Sequence, residues 1–90
     1  MVGTDWRAVI GCNIRERRGR LSLTQNELAA SAGLGRTYLG GIEKGRRNPS
    51  LLVLVRLAAV LGVELPDLLK PISRRTGPDP VEALCDFDRR

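Results

Sequence analysis

From Trp6 onward, apolar residues recur every three or four positions with polar residues between them. That is the pattern of helices with one buried face. Trp6, Ile10, Ile14 and Leu21 form the first such row, with Arg15, Glu16, Arg17, Arg18 and Arg20 around it. Thr4 or Asp5 caps its start, and its end is expected near Gly19, because Gly11 and Gly19 both weaken a helix. The pattern restarts in "LSLTQNELAASAG". Thr24 is an N-cap and Glu27 lies three residues on, which makes a capping box. Leu28, Ala29 and Ala32 face inward, and Gly33 stops the helix. A third helix is predicted from about Arg36 to Lys44, with Leu39 and Ile42 inward and Gly45 beyond its end. "RRNPS" reads as a loop. Ser50 caps a fourth helix, "LLVLVRLAAVLG", with a core face of Leu51, Leu54, Leu57, Ala58 and Leu61 and a stop at Gly62. A short fifth helix, "LPDLL", carries Pro66 in its first turn, where proline is tolerated.

No alternating strand pattern and no internal repeat interrupts this series, so the chain reads as all-α. Pro71 closes the folded region, giving one domain over residues 1–70 and a linker and tail over 71–90. From Pro71 to Pro80 the composition turns to Pro, Gly, Ser and Arg, the mark of a linker. Asp79, Pro80 and Glu82 then form a helix start, and Val81 to Phe87 has the length of one or two turns. A segment so short needs something to dock on.

Composition narrows the chemistry. A single Trp, Tyr and Phe leave the core to Leu, Val, Ile and Ala. The net charge of +5 points weakly toward nucleic acid or an anionic surface. There is no histidine, and Cys12 and Cys85 form no CxxC, which argues against a zinc site. Two cysteines so far apart also argue against a disulfide framework and suit a reducing cytosol. No apolar run is long enough to span a membrane, and the N-terminus lacks a secretory apolar stretch. The expectation is a cytoplasmic protein with no membrane partner.

The second and third helices are joined by only a few residues around Gly33, with the small Ala29 where they must cross. That is the geometry of a helix-turn-helix. The residues Thr24-Gln25, Glu27-Leu28-Ala29, Gly33, Arg36-Thr37-Tyr38-Leu39, Ile42-Glu43-Lys44-Gly45, Asn48-Pro49-Ser50 and Leu57-Ala58 resemble the lambda-repressor-like, Cro-type (XRE) family. The likeness covers roughly Ile10 to Leu69. Within the family, "RTYLGGIEKGRRNPS" and the short length are most similar to controller proteins of restriction-modification systems and related small regulators. The resemblance implies a five-helix DNA-binding domain with a short C-terminal tail.

It also implies roles. Gln25 stands where the family bonds a phosphate. Arg36 and Thr37 head the recognition helix, where an arginine can take guanine O6 and N7 and a threonine can meet a base edge. Tyr38 is placed for a phosphate or sugar. Lys44, Arg46, Arg47 and Asn48 surround a loop that lies along the DNA backbone and sets affinity and register. Arg18 pairs with Glu43 as a structural bridge. Gly41 sits where many relatives carry a third base-reading side chain, with Gly40 one step before it. The bare pair lets DNA or water approach, or lets another helix pack closely. Base readout then rests on Arg36, Thr37 and one of Arg46 or Arg47, with DNA shape added.

Leu52 and Val53 are apolar where relatives are usually polar. With Val55, Leu65 and Leu68 they are the candidate dimer surface, which the tail from Val81 to Phe87 could complete. One such domain reads a single half-site, so a homodimer on a palindromic operator is expected. The alternative function is an antitoxin-like or adaptor module whose main partner is another protein. No nucleophile–base pair, metal cluster or phosphate-binding glycine loop is visible, so neither an enzyme nor a cofactor is expected, and no small-molecule ligand is evident.

Overall fold

A computed structural model describes residues 5–71. It contains α1 (Trp6–Arg20), α2 (Gln25–Ala32), α3 (Arg36–Glu43), α4 (Leu51–Leu61) and α5 (Leu65–Leu68). Among the described residues there is no strand. The tail expected to dock from Val81 to Phe87 lies outside them. No described helix is long and apolar enough to cross a membrane.

Local chemistry sets the boundaries. Asp5 caps α1 by accepting from the Ala8 N–H, and Ser50 caps α4 by accepting from the Val53 N–H. Gly33 and Gly62 end α2 and α4 in the left-handed conformation, at φ +73° in both cases. The first helix ends at Arg20, one residue past Gly19 and as expected near it, and the reversal falls on Ser22 at φ +57°. The Leu23 N–H then reaches back to the Arg18 carbonyl at 3.1 Å. A serine, not a glycine, carries the left-handed position after this helix.

Ile14, Leu28, Leu39, Ile42, Leu57 and Leu68 are fully buried, and Ile10, Ala29, Ala32, Leu54, Ala58 and Leu61 complete the core. Each fully buried Leu or Ile contributes roughly 1.5–3 kcal/mol. Three expectations need correction. Leu51 is 62% exposed, because the nearly all-apolar α4 has no polar stripe to reveal its inward face. Trp6 and Leu21 are about half exposed, since they lie at the two ends of α1, beyond its packed middle. Leu68 has no exposure at all and is removed from the candidate dimer surface; a four-residue helix is too short to show which residue points inward. Val53 and Leu65 are partly buried against the core, whereas Leu51, Leu52 and Val55 remain open.

Two α1 residues organise the fold without any sequence signal. Buried Asn13 donates to the carbonyls of Leu68 and Lys70, at 2.9 and 2.8 Å. The Leu68 carbonyl is one of the unsatisfied C-terminal acceptors of α5 and Lys70 lies just past its end, so α1 caps α5 from the side. Gly11 lies where α1 crosses α3. A Cβ there would meet the Ile42 carbonyl oxygen at 2.5 Å and that of Glu43 at 2.6 Å. Read from sequence as a weak point in a helix, Gly11 is instead a condition of the crossing.

Candidate nucleic-acid interface

The α2–turn–α3 unit is fixed at each joint. The Thr24 hydroxyl accepts from the Glu27 N–H at 3.0 Å, and the Glu27 carboxylate accepts from the Thr24 N–H at 2.8 Å. This capping box places Gln25 at the first position of α2. At the other end the Leu34 N–H returns to the Ala29 carbonyl at 2.8 Å, closing the turn around Gly33. Gly35 then begins α3 without a side-chain cap. The N–H groups of that first turn have no intrahelical acceptor, and Arg36 and Thr37 beside them are exposed.

An open groove runs along this edge, lined by Gln25, Arg36, Thr37, Gly40, Gly41, Lys44, Arg46 and Arg47. Four of those residues are cations and none is an acid, so the groove carries one sign of charge. Tyr38 and Asn48, also expected at the interface, do not line it. Tyr38 is half-buried against the core, with the Arg47 guanidinium 5.7 Å from its ring centre. Asn48 is exposed in the loop between α3 and α4.

The acid nearest this surface is turned away from it. Glu43 is buried, and its carboxylate accepts from Arg18 Nε at 2.7 Å and Arg18 Nη2 at 2.9 Å. The two parallel bonds form a bidentate pair. Arg18 Nη1 also donates to the Leu23 carbonyl at 2.9 Å. The same carboxylate accepts from Gln25 Nε2 at 3.0 Å, a link that sequence reading misses. A primary amide has two N–H donors and a carbonyl, so this bond holds Gln25 in place while leaving polar capacity for an outside partner.

The paired glycines divide into two cases. A Cβ on Gly40 would lie 3.8 Å from both amide heteroatoms of Gln25, an ordinary contact. A Cβ on Gly41 would lie 2.6 Å from Arg47 Cγ. Gly41 is therefore not bare: the stem of Arg47 lies across it, and the guanidinium reaches back toward Tyr38. Among the described residues, no group of three or more His, Cys, Asp or Glu side chains is placed to hold a metal.

Comparison with known proteins agrees with this architecture. A family profile described as Helix-turn-helix matches residues 14–68. An HTH-type transcriptional regulator of Sinorhizobium fredii, y4dJ, is 40% identical over 67 residues, which cover 74% of this chain and 87% of that protein. The crystal structure of the restriction-modification controller protein C.AhdI from Aeromonas hydrophila is 40% identical, with a TM-score of 0.67 over 69% of this chain and 94% of its own. The biofilm master regulator SinR, solved in complex with DNA, is 37% identical, with a TM-score of 0.65 over 68% of this chain and 98% of its own.

Proposed function

The chain belongs to the lambda-repressor-like (XRE) helix-turn-helix family of DNA-binding transcriptional regulators, which are not enzymes, and from that premise we propose that it binds a palindromic operator as a homodimer in the cytoplasm. The observation that carries this reading is the acid-free groove at the uncapped start of α3. α3 enters the major groove with Arg36 and Thr37 at the base edges. Gln25, at the start of α2, takes a phosphate with the N–H that Glu43 leaves over. Lys44, Arg46 and Asn48 follow the backbone, and Tyr38 meets a phosphate or sugar at the groove's edge. Arg47, laid across Gly41, occupies the place of the missing third reading side chain. Leu51, Leu52 and Val55 form the exposed apolar surface that a second copy covers. The two recognition helices then lie about 34 Å apart, one turn of DNA.

Selection of bound duplexes from random DNA tests this, with sedimentation of the selected complex to count chains. The expected product is an inverted repeat carrying two chains. Arg36→Ala should cost about 1–3 kcal/mol on that site and relax one base pair per half-site. Lys44→Ala should weaken all sequences alike and lower the salt slope by about one unit. Enrichment of no sequence, or a native complex containing a stoichiometric unrelated protein, rejects the reading in favour of a protein-interaction module.

A further inference from the structure

The face of α1 that packs on α3 continues past the point where α3 ends. Arg7, Gly11, Ile14 and Arg18 are separated by four, three and four residues, which puts them on one side of the helix. Three of them meet α3 or the core directly. Arg18 holds Glu43 at 2.7 Å, Ile14 is fully buried, and Gly11 lies against the Ile42 and Glu43 carbonyls. Arg7 is the next step along the same face. What lies beside it is the turn at Gly45, whose added Cβ would come within 3.4 Å of Ala8 Cα and 3.7 Å of the Arg7 carbonyl carbon. Gly45 sits between Lys44 and Arg46, both exposed and both in the groove wall. Arg7 is itself exposed.

We propose that Arg7 grips a DNA backbone phosphate on the flank of the half-site, beyond those reached by Lys44 and Arg46. The proposal rests on the DNA-binding reading above and extends its footprint onto α1. A guanidinium presents paired donors to two phosphate oxygens, so it suits this task. Such a contact adds affinity and salt dependence and leaves base preference unchanged. The competing role is internal: an arginine beside the last turn of α3 also opposes the negative end of that helix. That role would stabilise the fold and leave DNA untouched.

The two roles separate in a salt titration of the full chain on a duplex of about 30 base pairs, three helical turns, enriched from random DNA by the wild-type protein. Arg7→Ala should lower the slope of log affinity against log salt by about 0.9, which is roughly eightfold weaker binding at 0.1 M when the two lines meet at 1 M. Arg7→Lys should restore most of the slope. Lys70→Ala, which removes one exposed charge just past α5, measures the part due to net charge alone. A loss for Arg7→Ala that exceeds that of Lys70→Ala, with an unchanged melting temperature, supports the phosphate contact. An Arg7→Ala slope no lower than that of Lys70→Ala overturns it, and a lowered melting temperature beside it assigns Arg7 to the end of α3. A wild-type protein with no salt-dependent affinity for any duplex overturns the DNA-binding reading itself.

Discussion

Replacing Gly11 by alanine puts a methyl group where α3 leaves no room. The new Cβ would lie 2.5 and 2.6 Å from two backbone carbonyl oxygens, and real Cβ atoms essentially never come within 3.0 Å of a neighbour. Neither oxygen sits on a flexible side chain, so α1 and α3 must separate by about half an ångström or more. Overpacking of this kind costs about 1–3 kcal/mol, while the better helix propensity of alanine returns about 1 kcal/mol. The net expectation is a loss of up to about 2 kcal/mol. In a domain of this size each kcal/mol moves the melting temperature by roughly 4–8 °C, so the drop is at most about 15 °C. Gly19→Ala is the matched control. It lies in the same helix, its Cβ would meet nothing within 4 Å, and only the propensity term applies. That variant should melt at or a few degrees above wild type. Thermal unfolding followed by far-ultraviolet circular dichroism checks both. If Gly11→Ala matches Gly19→Ala, the close crossing of α1 and α3 is wrong.

The remaining predictions concern the site and the acid limb of stability. Glu43→Ala leaves Arg18 and Gln25 without their shared acceptor; breaking a buried pair costs about 3–5 kcal/mol, with the lower end expected because the Arg18 side chain keeps 19% of its exposure. An unchanged melting temperature contradicts that role. Gly41→Ala should lift Arg47 off α3 and reduce discrimination between operator variants without lowering stability, and equal discrimination would remove Arg47 from the reading surface. Asp67 accepts from the Glu64 N–H at 3.0 Å, and chiefly for that reason its carboxyl is held below the ordinary 3.8. Because the folded value is the lower one, its stabilising contribution is present above the unfolded value and fades as pH falls through the folded one. Asp67→Asn should flatten that acid limb, and an NMR titration placing Asp67 at or above 3.8 would contradict the assignment.

Residues whose roles are local or strongly periodic are legible in the amino-acid sequence. Thr24 and Glu27 stand at capping-box spacing, and Gly33 and Gly62 follow the last inward residues of their helices. Leu28, Leu39 and Ile42 keep helical spacing against polar neighbours. Legibility fails where a role depends on contact between distant segments. Nothing around Asn13 indicates that its amide reaches Leu68 and Lys70 across more than fifty residues. Gly11 and Gly19 look alike in sequence, yet one sits under two carbonyls and the other in open space. The face of α4 is ambiguous because nearly every position is apolar, which is why the pattern misplaces Leu51. The cations around α3 are legible in the sequence, but the seating of Arg47 on Gly41 depends on the path of the loop.

The α1–α3 seam joins stability to the DNA surface through one buried carboxylate. Burial keeps the Glu43 charge out of the cationic groove, and it is tolerable only because Arg18 meets it with two bonds. The oxygen that takes Arg18 Nη2 also takes Gln25 Nε2, so the first residue of α2 is anchored to the last residue of α3 by a side-chain bond as well as through the turn at Gly33. That bond ties the two helices together from behind the cationic groove. Gly11 permits this arrangement by letting α1 come close enough for Arg18 to reach Glu43, two turns along α1 from the crossing. A change anywhere along Gly11, Arg18 and Glu43 would therefore act on DNA binding through the orientation of Gln25, without touching a single phosphate.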